Sequence, residues 1–150
     1  MRALSVKQPW ASALADGDKN IEFRSRPTNY RGELLICSSK SGGNIWMEFG
    51  DEFLPMPRGC TSGVRKLVDC RPMTEDDLKE FGAPDSIEGW YAWVFELCPA
   101  GAAIQPVPVN GKISFFDVDD GLIRSLGEGM GVYDYDYPNK YDKVPPSLKQ

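Results

Sequence analysis

A short stretch near the N-terminus concentrates side chains that could bind or transform a polar ligand. In LSVKQPWASALADGDKNIEFRSR, residues 4–26, the notable side chains are Lys7, Gln8, Trp10, Lys19, Glu22, Arg24 and Arg26. Lysine and arginine contact phosphates, a glutamate accepts hydrogen bonds from a base edge, and an indole stacks on a base. A solvated surface needs no such density, and an apolar core would reject it. The pattern therefore indicates a polar cleft.

The absence of histidine limits the catalytic chemistry of that cleft. It removes Ser-His and Cys-His nucleophile pairs and the usual general base at neutral pH, so catalysis would rest on Lys, Glu, Asp, Tyr, Ser or Cys. Four widely spaced cysteines form no CxxC motif: Cys37, Cys60, Cys70 and Cys98. Three of them, Cys37, Cys70 and Cys98, end apolar runs, which is typical of small buried side chains. We predict neither a metal site nor a cofactor.

The charge is unevenly distributed along the chain. The net charge is −5, but residues 1–40 carry seven Lys/Arg and four Asp/Glu, a net charge of +3, whereas residues 41–150 carry −8. A local anion site on an otherwise acidic body fits this distribution better than a broad basic face.

The length and composition indicate one globular domain. The chain has 150 residues, of which 41% are hydrophobic and 26% charged. It contains no apolar run of about 18 residues that could span a membrane, and MRALSVKQPW is unlike a signal peptide. We therefore expect a cytoplasmic protein without membrane association.

The elements around the polar cluster follow from local signals. Residues 2–6 read as a strand. Pro9 suits the first turn of a helix and Gly17 its C-terminal end, and the Ala-rich turns between them predict close packing on a sheet. Residues 20–24 then alternate as a half-buried strand. This alternation places Glu22 and Arg24 on one face, and Lys19 in the preceding turn can reach that face.

The rest of the chain reads as short strands and helices. We predict strands at residues 33–37, 63–70, 90–97 and 114–118, and helices at 45–53, 74–81 and 120–126. The prolines of residues 105–108 place that segment at an edge or in a loop. The predicted fold class is α+β, a small and mostly antiparallel β-barrel flanked by short helices. Residues 127–150, rich in Gly, Tyr, Asp and Pro, read as a tail that lies on the surface or is partly disordered.

The segment QPWASALADGDKNIEFRSRPTNYRGELLICSS resembles the ASCH domain family of the PUA-like superfamily. The shared pattern is Gln-Pro-Trp-Ala, a short helix, Gly-x-Lys-x-x-Glu-x-Arg, Arg-Gly, and a strand that ends in small polar residues. GCTSGVRKLVDCRPMT, YAWVFEL and PVPVNGK also resemble the family, so the likeness extends over residues 3 to about 117. We assign residues 1–126 to this domain and residues 127–150 to the tail.

The resemblance implies a β-barrel with a cleft along the Gly-x-Lys-x-x-Glu-x-Arg segment, where RNA, a nucleotide or a nucleobase would bind. The candidate ligand-binding residues are Gln8, Trp10, Lys19, Glu22, Arg24, Arg31, Ser38, Ser39 and Lys112.

Several candidates have a structural alternative. Lys19 could instead pair with Glu22, Arg24 could brace the barrel through Glu22, and Trp10 could plug the barrel end. Gln8 could cap the helix, and Lys112 could be a surface turn residue.

We consider functions of three classes. The favoured function is a binding module for RNA or a modified nucleobase. The second is a hydrolase, because one branch of the family resembles N4-acetylcytidine amidohydrolases and ribonuclease activity has been associated with the family; Lys19 and Glu22 would then be catalytic. The amidohydrolase pattern is Lys-x-x-Thr, whereas this chain has Lys19-x-x-Glu22. The third is a protein-interaction domain that uses the acidic, aromatic C-terminal region.

Overall fold

The chain is an α+β protein built on one mixed sheet, in a computed structural model that describes residues 1–96 and 102–149. The elements are β1 (Arg2–Val6), α1 (Trp10–Asp16), β2 (Ile21–Arg24), β3 (Gly32–Ser38), β4 (Trp46–Phe49), β5 (Glu52–Pro55), β6 (Cys60–Pro72), β7 (Tyr91–Phe95) and β8 (Phe116–Asp117). The sheet order is β2-β7-β6-β3-β1-β8, in which β1 and β3 are parallel and the other neighbours antiparallel. β4 and β5 form a separate hairpin.

Helix α1 lies close against the sheet because its inward side chains are small. It follows Pro9 and ends at Gly17, whose φ of 84° is a left-handed conformation that favours glycine. A Cβ at Gly63 of β6 would lie only 2.9 Å from the Cβ of Ala15, so a larger residue at either position would separate helix and sheet. The predicted helix and its close packing are confirmed.

The core occupies both faces of the central strand β3. Leu34 and Ile36 face α1 and pack with Leu4, Leu67 and Phe95. The alternate residues of β3, Leu35 and Cys37, face the opposite side of the sheet. A second apolar cluster lies there and contains Ala3, Leu35, Cys37, Ile104, Phe116 and Val118. Because each fully buried large apolar side chain contributes about 1.5–3 kcal/mol, these clusters hold β1 and β3 rigidly in place.

Two cysteines are part of this interior. Cys37 and Cys60 are fully buried, and burial raises the pKa of the Cys37 thiol to about 12 and that of Cys60 to about 11. Both thiols therefore stay protonated at neutral pH, and the prediction of a buried Cys37 is confirmed. Cys70 is only half-buried, and Cys98 lies outside the described residues.

The sheet differs from the predicted barrel. Within residues 1–96 and 102–149, β2 and β8 are the two edges and do not pair with each other, so the sheet is not closed. β8 has only two residues, shorter than the strand predicted at 114–118. Such a short strand offers few hydrogen-bonding groups with which to close a barrel.

The helix predicted at residues 45–53 is wrong. The segment forms the β4–β5 hairpin, in which Glu48 pairs with Phe53. Gly50, with a φ of 60°, supplies the turn. The aromatic residues of this segment favour strands once a partner strand is close, and the glycine turn supplies that partner.

Several other elements differ from the predicted ones in type or in length. The helix predicted at 74–81 is a 3-10 helix at Glu75–Lys79, and that at 120–126 is a 3-10 helix at Asp120–Leu122. β6 is longer than predicted, and position 97 of the strand predicted at 90–97 lies outside the described residues. No helix in the described ranges is long and apolar enough to cross a membrane.

The tail packs on the hairpin side of the protein. The Tyr137 hydroxyl donates to the Pro55 carbonyl at 2.6 Å, and the Asn139 amide donates to the Met56 carbonyl at 3.0 Å and accepts from the Arg58 N–H at 2.9 Å. Tyr137 and Asn139 are buried. The described part of the tail therefore lies on the surface of the domain, which was one of the two predicted alternatives, the other being partial disorder. The domain boundary at residue 126 stays a prediction.

An ion pair fixes the 3-10 helix after β6 and sets a first testable prediction. Asp77 is buried and accepts from both Arg71 Nη atoms at 2.7 and 2.9 Å and from the Thr74 N–H at 2.7 Å. These contacts, led by Arg71, lower the pKa of Asp77 from 3.8 to about 2. Because the folded-state pKa is lowered, this stabilisation is present above pH ~4 and is lost as the pH falls towards 2.

We expect Asp77→Asn to lower the free energy of unfolding by about 2 kcal/mol at neutral pH, with a much smaller difference near pH 2. Urea unfolding at both pH values measures it. The matched control is Asp76→Asn, because Asp76 is 93% exposed and should matter by less than about 0.5 kcal/mol. Equal effects of the two substitutions at neutral pH would contradict the prediction.

Candidate functional site

A cleft of about 850 Å³ opens beside the polar cluster. Its walls come from β2, from the C-terminal ends of β1 and β3, from the start of α1, and from segments 82–90 and 110–113. This volume falls in the range of small-molecule sites, roughly 300–1,000 Å³. The cleft is therefore large enough for a nucleotide.

The carboxylate of Glu22 forms part of the cleft wall and lies between two cations. Its oxygens are 3.7 Å from Lys19 Nζ and 3.6 Å from Arg24 Nη2. The predicted shared face of Glu22 and Arg24, and the reach of Lys19 to it, are confirmed. Lys19 is only 3% exposed, donates to the Phe81 carbonyl at 3.0 Å, and is absent from the cleft lining.

Burial perturbs the protonation of this cluster. Burial raises the pKa of Glu22, and the nearby charges of Arg24 and Lys19 offset part of that rise. Burial lowers the pKa of Lys19, and Glu22 opposes the change. Two cations against one carboxylate leave this cluster formally positive, so its surroundings favour a ligand that brings negative charge.

Four basic side chains line the cleft, against one carboxylate: Lys7, Arg24, Lys40 and Lys112. Arg24 is oriented by a 2.7 Å hydrogen bond to the Ser5 carbonyl, and its guanidinium lies 5.7 Å from the Trp93 ring. Lys40 donates to the Asn110 side chain at 2.9 Å. The cleft is thus basic although the chain carries a net charge of −5.

Two tryptophans, Trp10 and Trp90, also line the cleft. Both are half-buried, so each keeps part of its indole available to a ligand. Trp10 packs edge-on against Phe81 with ring centroids 4.5 Å apart. A Cβ at Gly82 would lie 3.0 Å from the Trp10 ring, and the φ of 83° at Gly82 favours glycine as well. This packing fixes the orientation of the Trp10 indole.

Three predicted site residues lie away from the cleft lining: Lys19, as described above, Gln8 and Arg31. Gln8 is 9% exposed, and its amide bonds the Ser12 N–H, the Ser12 hydroxyl and the Pro57 carbonyl at 3.0, 2.9 and 2.7 Å. This arrangement fits the alternative in which Gln8 caps the helix. Arg31 donates to the backbone carbonyls of Thr28 and Tyr30 and lies 3.8 Å from Asp69.

The predicted serines line the cleft but have protein partners. Ser38 Oγ donates to the Cys60 carbonyl at 3.1 Å and accepts from the Cys60 N–H at 3.3 Å. Ser39 and Ser41 share a hydrogen bond of 2.7 Å between their hydroxyls. Ser38 is therefore committed to the fold, whereas the half-buried Ser39 and the exposed Ser41 remain within reach of a ligand.

Among the lining residues that sequence reasoning missed are Lys40, Trp90, Asn110 and Ile113. Lys40 directly follows the predicted serine pair and Trp90 begins the strand predicted at 90–97, so both were close to recognised signals. Nothing in their spacing connects positions 40, 90 and 110, which meet only through the sheet. Within the described ranges, no three His, Cys, Asp or Glu side chains converge as metal ligands.

The fold belongs to a class of small α+β domains seen in solved ASCH structures. Crystal structures of two point mutants of ZmASCH from Zymomonas mobilis share it. The serine-to-alanine mutant has a TM-score of 0.54 and 14% identity, covering 79% of this chain and 88% of that one. The tyrosine-to-phenylalanine mutant has a TM-score of 0.53 and 16% identity, covering 79% and 90%. At these identities the likeness concerns the fold alone.

The sequence establishes the family. The ASCH domain model matches residues 4–108, and the chain belongs to the ASCH domain family, which confirms the resemblance. It is similar to Activating signal cointegrator 1 from Homo sapiens (27% identity) and Mus musculus (26%), over 85% of this chain. The chain spans only 24% of the length of these relatives.

Proposed function

We propose that this protein is a binding module for single-stranded RNA and that the cleft holds one nucleotide. The observation that carries the proposal is the charge of the cleft, where four cations and one carboxylate line a cavity in a chain of net charge −5. Such a reversal concentrates an anion at the cleft, although the net charge of the chain opposes nonspecific coating of nucleic acid. Membership of the ASCH family supports the same ligand class.

Each part of the cleft has a role in this proposal. Arg24 and the lysines contact phosphate, since ionised donors make the stronger hydrogen bonds to it. Trp10 and Trp90 offer surfaces on which a base stacks, a contact worth about 1–3 kcal/mol. Glu22 accepts hydrogen bonds from an exocyclic amino group of the base, as carboxylates do from cytosine.

The position of Lys19 favours binding over hydrolysis. A catalytic lysine must reach the substrate, whereas Lys19 is 3% exposed and its Nζ is held by the Phe81 carbonyl and Glu22. We expect no hydrolysis of N4-acetylcytidine by the wild type. Turnover that disappears in Lys19→Ala would instead establish the amidohydrolase alternative.

Salt dependence tests the proposed binding mode. Each phosphate contact to a single strand contributes about 0.7 to the slope of log affinity against log salt, so two to four contacts predict a slope of roughly −1.5 to −3. Fluorescence anisotropy with a labelled short RNA measures it, and Arg24→Gln should reduce the slope by about 0.7. A slope near zero contradicts phosphate binding, and one near about −10 indicates a broad basic face instead.

A further inference from the structure

A second basic and aromatic surface lies next to the cleft. We call it the arginine–aromatic strip and define it by Arg2, Arg26, Tyr30 and Phe115. The Arg2 guanidinium lies 4.9 Å from the centroid of the Tyr30 ring and 5.5 Å from that of Phe115, and the two rings are 5.5 Å apart. Both arginines are exposed and both rings half-buried, so the strip presents charge and aromatic surface to the solvent.

Trp93 lies next to residues of both the strip and the cleft. The Trp93 ring lies 5.7 Å from the Arg24 guanidinium, which lines the cleft, and 5.7 Å from the Phe115 ring. The Trp93 indole N–H also donates to the Arg26 carbonyl at 2.9 Å. Trp93 itself is buried, so it connects the two surfaces from beneath.

The chain spacing gives the distance between the two surfaces. Along β1, Ser5 lines the cleft and Arg2 lies three residues away, which is about 10 Å of strand. From the other side, Lys112 and Ile113 line the cleft, and Phe115 follows two residues after Ile113. The strip therefore begins within about 10 Å of the cleft along β1.

Both strip arginines lack an ion-pair partner in the part of the chain that the structure describes. None of the ion pairs among the described residues involves Arg2 or Arg26, even though Asp117 faces Arg2 in the strand register. Arg31, by contrast, lies 3.8 Å from Asp69. Tyr30 and Phe115 pack against the core below, which explains the rings but not the Arg2 guanidinium above them or the exposed Arg26.

We infer that the arginine–aromatic strip binds the nucleotides that flank the one in the cleft, so that the ligand is a single-stranded RNA of about three or more nucleotides and not a free nucleoside. Proteins that hold single strands combine a basic track with aromatic surfaces, and both are present here. The inference rests on the proposed function, because it extends a strand whose first nucleotide occupies the cleft.

The test compares a mononucleotide with a hexanucleotide RNA. Quenching of tryptophan fluorescence reports the mononucleotide in the cleft, and anisotropy of a labelled hexanucleotide reports the whole track. We expect Arg2→Gln and, separately, Arg26→Gln to weaken hexanucleotide binding about tenfold and to reduce its salt slope by about 0.7. Neither substitution should change mononucleotide affinity. Two single variants keep the test valid if one of them fails to fold.

The control and the contrary outcomes separate the two proposals. Lys66→Gln is the matched control, because Lys66 is also an exposed cation. It lies in β6 two residues from Val64, and Val64 packs on the sheet face opposite the one that carries Leu4. This substitution should leave the affinities for both ligands unchanged. If the wild type binds neither RNA, the proposed function is wrong. If the wild type binds the mononucleotide and the hexanucleotide with equal affinity, the strip inference alone is wrong. The same conclusion follows if Arg2→Gln and Arg26→Gln bind the hexanucleotide as tightly as Lys66→Gln does. An equal loss for both ligands would also overturn it.

Discussion

Replacing Arg65 with methionine is expected to lower the free energy of unfolding by about 3–5 kcal/mol, because four acceptors, two of them in fully buried hydrogen bonds, would lose a charged donor. Arg65 is 2% exposed. It donates to the carbonyls of Leu14 and Lys19 at 2.6 and 3.2 Å, to the Asn20 side chain at 2.6 Å, and to the Glu96 carbonyl. One guanidinium thus joins the end of α1, the turn before β2 and the segment after β7.

Chemical denaturation at neutral pH measures this effect. Lys66→Met is the matched control, because the exposed neighbouring side chain should matter by less than about 0.5 kcal/mol. Since Arg65 holds the Lys19 backbone, the methionine variant should also bind RNA more weakly at temperatures where it is still folded. A loss of less than about 1 kcal/mol would show that water replaces the guanidinium without cost.

Replacing Glu22 with glutamine is expected to weaken RNA binding by about 2–3 kcal/mol, which is roughly 30- to 150-fold. The effect falls in the upper part of the range for a charged hydrogen bond because the carboxylate is only 8% exposed. Glutamine keeps the shape but removes the charge that accepts from the base amino group. Titration calorimetry with a cytosine-containing RNA measures the loss, and Glu75→Gln, an exposed carboxylate, is the control.

The pH dependence of binding provides a second signature of Glu22. Because burial raises the pKa of this carboxyl group, its charge is lost at a higher pH than in an ordinary glutamate. Wild-type affinity should therefore fall on acidification before ordinary glutamates titrate, whereas the affinity of Glu22→Gln should stay flat through that range. Parallel pH profiles of the two proteins would refute a role for the Glu22 charge in binding.

The local chemistry of the site could be predicted from the sequence because neighbouring residues determine it. Two-residue alternation in β2 puts Glu22 and Arg24 on one face, and their contact at 3.6 Å requires no knowledge of the rest of the fold. Helix α1 begins after Pro9 and ends at Gly17 for similarly local reasons. Proline restricts the backbone angles at its own position, and glycine permits a left-handed conformation at its own. The order of motifs over residues 3 to about 117 indicated the family in the same way, and the family model matches residues 4–108.

The hairpin at residues 46–55 shows where local reasoning fails. Its aromatic residues are compatible with either a helix or a strand, and the choice depends on whether a partner strand is near. The amide of Gln8 is a similar case, because its orientation depends on the Pro57 carbonyl, 49 residues away. The open sheet also depends on pairing between strands that are distant in sequence.

The sequence by itself determined which chemistry the protein has, namely cations, the Glu22 carboxylate and an indole within residues 7–24, and the family to which it belongs. Only the tertiary structure decided which of these groups a ligand can reach. It buried Lys19 under Phe81, turned Gln8 inward, and brought Lys40, Trp90 and Lys112 to the same cleft. The physical reason is that residue types set the available interactions, whereas access depends on packing between segments tens of residues apart, which local patterns do not encode.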